Sequence, residues 1–583
     1  MRQIHRQSPF TSVLADPAAL AAIEELAPEV LDSPVLKNLS EFPVGPVLTL
    51  ILGDDTRVSA VVERLAAFED TTPQPPDEHP IIASTGYEAA SVARASATVE
   101  APDTATTDRR VEITLSGPSH GNPFVDVEVS AEFRSHDRVV HVGGFYAGAG
   151  RYKLRFLPPA AGEWTYTTTS TARSLDGLAG TIVVTDGTAK GPTAVADGYH
   201  FAYRDGTPYT PLGTTAYVWT HQGDALEEQT LETLSTAPFN KIRMCLFPKH
   251  FMYNSNEPER FVFEKDAAGE WDTTRFDLAY FDHLERRLDE LDELGIVADL
   301  ILFHPYDRWG FSKLTKAADD RYVSYVSRRL SSFANVWWSM ANEYDLLLTK
   351  TPADWDRMAR LVQRNDHVGH PISIHNWVEF YDFSADWVTH ASIQRGDYDI
   401  GKMIDQWRRT WKKPVLIDEF GYEGNLDQGW GNLTSEEVVR RFWDGTIRGG
   451  YLTHGETYHS DDELIWWSKG GTLHGSSAPR LAFLRAIVAE SPTGRIDPVA
   501  SDWDVPWGGV EDEYAILYFG ARRPVFRNVD IPAGMTVRED VIDTWNMTVD
   551  ELPGVHSGQV RVDLPSRPYM AIRLRTATDT ESV

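Results

Sequence analysis

The chain has 583 residues, too long for one hydrophobic core, so three or four domains are expected. Its 86 acidic residues against 55 basic ones give a formal charge of −31, which repels phosphate backbones, anionic membranes and polyanionic substrates. Neither a nucleic acid nor a membrane is therefore an expected partner. A hydrophobic share of 42% with 11% aromatics marks a globular protein. The one cysteine, Cys245, lies in an apolar run and leaves no disulfide within the chain, as suits a reducing compartment. The stretch from Met1 to Pro9 lacks the apolar core of a secretory signal, and no run of ~18 apolar residues follows. A cytoplasmic protein is the expectation.

In chain order, residues 1–70 read as a small helical segment. Asp16-Pro17 is an N-cap followed by proline at the first helical position, with Ala18–Leu26 after it. A further helix fits Asp55–Phe68. The segment carries no visible chemistry and reads as an add-on that packs on another domain or subunit, which leaves a homo-oligomer open. Residues 71–104 read as a linker, because four prolines within 71–80 exclude helix and central strand.

Residues 105–195 read as an N-terminal β-sandwich, with short strands at Val111–Leu115, Val125–Val129, Val139–Val142, Tyr152–Phe156 and Trp164–Thr168. Trp164 and Tyr166 are taken as inward-facing core ahead of a sugar-binding platform. Residues 196–492 alternate strand and helix, as a (β/α)₈ barrel requires. The strands fall at Thr210–Tyr217, Phe239–Pro248, Ile296–Phe303, Val336–Met340, Pro371–Trp377, Trp387–Gln394, Val415–Glu419 and Gly450–Glu456. Between the second and third, Phe281, Leu284, Leu288 and Leu291 mark an amphipathic helix over Arg275–Leu294, stopped by Gly295. Residues 493–583 return to short strands such as Tyr514–Tyr518 and Tyr569–Leu574, and read as a second, smaller β-sandwich. The fold class is thus an α/β TIM barrel with flanking all-β sandwiches and a small N-terminal helical segment.

Two barrel strands end abruptly in a carboxylate: Val336-Trp-Trp-Ser-Met-Ala-Asn-Glu343 and Val415-Leu-Ile-Asp-Glu419. Runs apolar at nearly every position suit strands buried on both faces. A glutamate at such an exit has no packing reason to be there, and the C-terminal ends of barrel strands form the active-site face. The two lie 76 residues apart, which fits three βα units and spans strand four to strand seven. Two carboxyl groups facing one sugar ring suit glycoside hydrolysis. Other polar residues gather at the exits: Arg243, His304, Tyr306, Asn342, His375, Asn376, His390, Gln394, His454, Glu456 and Trp466-Trp467. Glu423, four residues past Glu419, is the rival nucleophile. Asp418 should face away from Glu419 by strand alternation. The spacing of His454, Glu456 and His459 matches no usual zinc motif, so no metal and no cofactor is expected.

The ordered set Arg243, His304, Asn342-Glu343 and Glu419 resembles clan GH-A, the retaining glycoside hydrolases built on (β/α)₈ barrels. The stretches His304-Pro-Tyr-Asp-Arg-Trp-Gly310, Val336–Asp345 and Thr453-His-Gly-Glu-Thr-Tyr458 are similar to bacterial glycosidase-like proteins. In these, an apiosidase-like barrel lies between N- and C-terminal β-sandwich domains of unknown function. The resemblance implies that Glu343 is the acid/base, with a raised pKa, and Glu419 the nucleophile, held ionised by a donor or cation such as Arg243. It implies that Asn342 bonds the sugar 2-OH, provided a strand end or bulge lets it share the pocket with Glu343. His304, Tyr306 and Trp309 would shape the sugar subsite, Trp467 would stack on the sugar, and Glu456 would bind its hydroxyls.

The expected activity is retaining exo-hydrolysis of small glycosides, a β-hexoside, pentoside or furanoside. Exo action follows from the expected compartment, since imported substrates are short. A transglycosylase on the same site, and a non-catalytic sugar-binding barrel, are the alternatives. The retaining reading requires the two carboxyl groups about 5–5.5 Å apart.

Overall fold

A computed structural model describes every residue except 1, 35, 72–77, 460–463, 502, 532–533 and 578–583. The proline-rich linker falls largely on 72–77 and to that extent lies outside the described residues. Eight strands form one parallel barrel-like sheet: β1 (Leu212–Thr215), β2 (Lys241–Cys245), β3 (Val297–Phe303), β4 (Val336–Ala341), β5 (Ile372–Ser373), β6 (Ala391–Gln394), β7 (Val415–Glu419) and β8 (Tyr451–His454). Pairing runs β5-β4-β3-β2-β1-β8-β7-β6, the cyclic order of a (β/α)₈ barrel. The chain divides into two compact units, residues 1–194 with 244–388 and residues 195–243 with 389–583.

The first unit begins with helices at Phe10–Ala15, Pro17–Leu26, Pro28–Asp32, Leu36–Leu39, Val44–Leu52 and Asp55–Leu65. Asp16 caps the second, accepting from the Ala18 and Ala19 amides at 2.8 and 3.3 Å. The helices are too short to be stable alone. They share a core that includes Ile4, Phe10, Ile23, Val47, Leu48, Val58 and Leu65. The N-terminal sandwich pairs a four-stranded sheet with a five-stranded one. Trp164 and Tyr166 are buried in its core, and Phe133 stacks on Phe156 at 4.2 Å between ring centres. Two local readings are corrected. Thr98–Glu100, inside the stretch assigned to the linker, is a strand paired with Val111–Ser116; three residues are too few to show a period. Pro123–Asp126 is a helical turn where a strand was expected, because Pro123 takes the first helical position; the strand starts at Val129.

In the same unit β3, β4 and β5 are buried along their whole length, which is why their sequences show no alternation. Helices Leu278–Glu293, Lys316–Leu330 and Pro352–Asn365 accompany them. Asp277 caps the first, accepting from the Ala279 amide at 2.8 Å.

The second unit holds β1, β6, β7 and β8 with helices Asp224–Thr236, Ile400–Trp411, Ser435–Ile447 and Ser477–Ala489. Its C-terminal domain has a six-stranded antiparallel sheet and a two-stranded one around Leu517, Val529, Val541, Val562 and Ile572. Among the described residues no helix is long and apolar enough to cross a membrane.

Candidate active site

In the first unit β4 ends at Ala341, and the chain turns sharply at Glu343, whose φ is +49°. A side chain in this left-handed region costs about 1–2 kcal/mol, strain of the kind that clusters at functional sites. The turn lets two neighbouring side chains meet, which strand alternation alone forbids. The Asn342 amide donates to Glu343 Oε2 at 3.3 Å, and the Tyr306 hydroxyl donates to the same oxygen. Glu343 is buried. The residues after it form a 3₁₀ turn, Tyr344–Leu346. The Asp345 carboxylate accepts the amides of Trp377, Val378 and Glu379 at 2.6, 2.9 and 2.9 Å. Burial pushes the Asp345 carboxyl up to about 6 in spite of those donors.

His304 follows β3 and is buried. Its Nε2 lies 3.1 Å from the Phe247 carbonyl, which can only accept, so Nε2 carries the proton and Nδ1 is a bare acceptor. Nδ1 has no hydrogen-bond partner among the described residues. Burial, with the nearby Lys249 charge as a lesser cause, pulls the imidazole down to about 4, so the ring is neutral across physiological pH. Lys249 Nζ sits 4.3 Å from the centre of the Tyr306 ring. Trp309 lies in a turn held by Asp307, and its indole N–H donates to Glu257 at 3.1 Å. His375 and Asn376 are buried just past β5, where the His375 backbone bonds Ala341 and Tyr344 at 3.0 and 2.9 Å.

In the second unit Glu419 is the last residue of β7, and the Tyr217 hydroxyl donates to its Oε1. Burial, with the Glu419 charge next, raises the pKa of both Tyr217 and Tyr422 well above the phenolic range. Trp467 stands edge-on to Tyr217 at 5.6 Å and lies 5.1 Å from Trp430, so aromatic rings surround this carboxylate. Beside it Asp418 is completely buried. It accepts from Lys241 at 2.8 Å, Ser392 at 2.5 Å and Thr453 at 2.6 Å, and pairs with Arg243 at 3.1 Å.

A family profile described as "Apiosidase-like, catalytic domain" matches residues 196–491, and two domains of unknown function match residues 106–171 and 503–575. A solved Bacteroides vulgatus protein, described as a candidate glycoside hydrolase, is 37% identical over 82% of this chain and 100% of its own, with a TM-score of 0.77. The chain belongs to the apiosidase-like family of glycoside hydrolases. Two more distant solved structures share the fold. One is a family 5 glycoside hydrolase from Bacteroides vulgatus, 15% identical over 68% of this chain and 95% of its own, with a TM-score of 0.54. The other is a glycoside hydrolase 14% identical over 66% and 97%, with a TM-score of 0.51. No curated protein matches the sequence.

Within this apiosidase-like enzyme several expected positions need correction. His390 precedes β6 and lies against Phe201 at 5.7 Å, at the strand end opposite to Gln394. The strand begins four residues later than its apolar Trp387-Val388 start suggested, so this histidine is not at an exit. Glu423 accepts the Ser476 and Ser477 amides at 2.8 and 3.2 Å and the Ser435 hydroxyl. It caps helix Ser477–Ala489, which removes it as rival nucleophile. Glu456 accepts the amides of His474 and Gly475 and so clamps this loop. Burial lifts its carboxyl to about 7. Ligand atoms of Glu423, His454 and Glu456 lie within 4.8 Å of one another, but both carboxylates already serve backbone donors. Arg243 pairs with Asp418, the strand neighbour of Glu419. Sequence reasoning passed over Tyr217, Tyr422 and Trp430. Only the aromatic residues around the strand-seven exit could have hinted at them, because Tyr217 and Tyr422 reach Glu419 from separate loops and Trp430 packs on Tyr422 and Trp467.

Proposed function

We propose that the enzyme is a retaining exo-glycosidase in which Glu343 is the acid/base and Glu419 the nucleophile. The observation that carries the reading is that Glu343, two residues past β4, and Glu419, the last residue of β7, are each hydrogen-bonded by a tyrosine hydroxyl at strands of one parallel sheet. Charge balance supports the nucleophile. Lys241 and Arg243 are buried cations, and both pair with Asp418, the residue before Glu419 on β7. Positive charge so close to the end of β7 favours the ionised form of Glu419. The Tyr217 donor also favours the carboxylate form. For Glu343, both the Tyr306 and Asn342 donors converge on Oε2, which fixes the orientation of the carboxyl group.

In the first step Glu343 protonates the leaving-group oxygen while Glu419 attacks the anomeric carbon, giving a glycosyl-enzyme ester. In the second, Glu343 takes a proton from water, which displaces Glu419 with overall retention. His304 Nδ1 accepts a sugar hydroxyl. Asn342, His375, Asn376 and Gln394 supply polar contacts at the strand exits, and Trp309 and Trp467 supply ring faces. The family's name favours an apioside or another pentofuranoside as substrate, and exo action on small glycosides completes the proposal.

A turnover screen with aryl glycosides tests it, run on wild type, Glu343→Ala and Glu419→Ala, with and without azide. One sugar should be cleaved, with azide rescuing both variants to give glycosyl azides of opposite anomeric configuration. Undiminished turnover in either variant sinks the assignment.

A further inference from the structure

The N-terminal helical segment bears on the Glu343 turn. Helix Val44–Leu52 packs against Tyr344–Leu346, the turn that follows Glu343 directly. The Arg6 guanidinium pairs with the Glu379 carboxylate, and the Thr49 hydroxyl donates to it at 3.0 Å. Glu379 is the third residue whose amide is held by Asp345, itself within the turn. Phe42 lies against Trp377, the first of those three, at 5.5 Å between ring centres. The fit is close: a Cβ at position 45 would come within 2.8 Å of Glu379 Oε1 and displace the carboxylate. A closed circuit therefore runs from Glu343 through Asp345 and residues 377–379 to Arg6 and Thr49, and back through helix Val44–Leu52 to the turn.

We infer that residues 1–70 are a positioning element of the active site, whose Arg6–Glu379 clasp holds the strained Glu343 turn in its protonating geometry. A residue in the left-handed region keeps that conformation only when its surroundings over-determine it. Here the helical segment supplies one face of those surroundings, and Asp345 with the His375 backbone supplies the other. Arg6 acts through Glu379 and touches no substrate. The inference rests on the acid/base reading of Glu343 and extends it to a part of the chain outside the matched catalytic domain.

Its test uses the dependence on leaving group. A general acid matters for a poorly departing phenol and hardly at all for dinitrophenol. Full-length Arg6→Met, Arg6→Lys, Glu379→Gln and Glu343→Ala enzymes are compared, with kcat/KM measured on methoxyphenyl and dinitrophenyl glycosides of the sugar found in the screen. Thermal melts run alongside. Arg6→Met and Glu379→Gln should lose about tenfold on the methoxyphenyl substrate and less than twofold on the dinitrophenyl one. Arg6→Lys should recover most of the loss. Equal losses on both substrates would mean a merely structural clasp and overturn the inference. So would an unchanged Arg6→Met and Glu379→Gln pair beside a Glu343→Ala enzyme that shows the leaving-group effect. If Glu343→Ala shows no such effect, the acid assignment itself fails and takes the inference with it. Glu379→Gln keeps the shape and the Thr49 bond, so it reports even if Arg6→Met folds poorly.

Discussion

At Glu419 the hydroxyl of Tyr217 meets the carboxylate proposed as nucleophile. Tyr217 donates to it, which stabilises the anion, so Tyr217→Phe should raise the carboxyl pKa. The acid limb of the kcat/KM profile should then move to higher pH, with rate down about tenfold or more at the plateau. An unmoved limb would show that the bond does not tune this group. Asp418→Asn leaves Lys241 and Arg243 buried against one fewer charge. A loss of about 3–5 kcal/mol in denaturant titration is expected. Glu456 gives a pH signature. Its folded-state pKa of about 7 lies above the ordinary 4.5, so its stabilising contribution is complete below 4.5 and fades as pH rises through 7. Glu456→Gln carries the neutral form at every pH. Its Tm relative to wild type should therefore climb between pH 4.5 and 8, and a flat difference would contradict the burial assigned to this group.

Among the elements, helix Ser477–Ala489 depends on a carboxylate from another strand's loop. Glu423 reaches its first amides, and Gly475 exists because a Cβ there would come within 2.4 Å of the Glu423 carboxyl carbon. Gly475→Ala should cost 1–3 kcal/mol, the usual scale of overpacking at about one methyl, read as a lower urea midpoint. This cap explains why the sequence left Glu423 ambiguous. Its position past β7 looks as catalytic as Glu419 does, and only the fold brings residues 476 and 477 to it. The barrel strands themselves were legible, because continuous apolar runs capped by glutamate have few other meanings. His390 misled for the opposite reason. Trp387 and Val388 are apolar for packing and not for strand pairing, so the expected strand began too early. The bond of Arg243 to Asp418 was not foreseen, since strand alternation puts Asp418 and Glu419 on different sides of the same backbone.

For the molecule as a whole, the barrel and its C-terminal sandwich share structure within the second unit. Tyr514 donates to the Ile487 carbonyl at 2.9 Å, Trp443 lies 5.6 Å from Tyr518, and Arg480 stacks on Trp545 at 3.6 Å. A chain ended after residue 496 would expose Trp443 and its neighbours. It should aggregate and melt earlier than the full chain in a light-scattering melt; a monodisperse, equally stable fragment would show the sandwich to be dispensable. The order of domains could be read from composition, whereas the docking of residues 1–70 on the Glu343 turn could not. That docking uses an arginine and a glycine whose sequence surroundings carry no chemistry.

The left-handed backbone at Glu343 has a consequence for anyone altering this protein. Elsewhere an alanine is steadier than a glycine, but at φ +49° the ranking reverses. Glu343→Gly should thus outlast Glu343→Ala by about 1 kcal/mol in a thermal melt. A redesign guided by robustness alone would place glycine at 343 and report an improvement. It would have produced a sturdier protein without the carboxyl proposed as proton donor, because here the local geometry and the proposed chemistry ask for different amino acids.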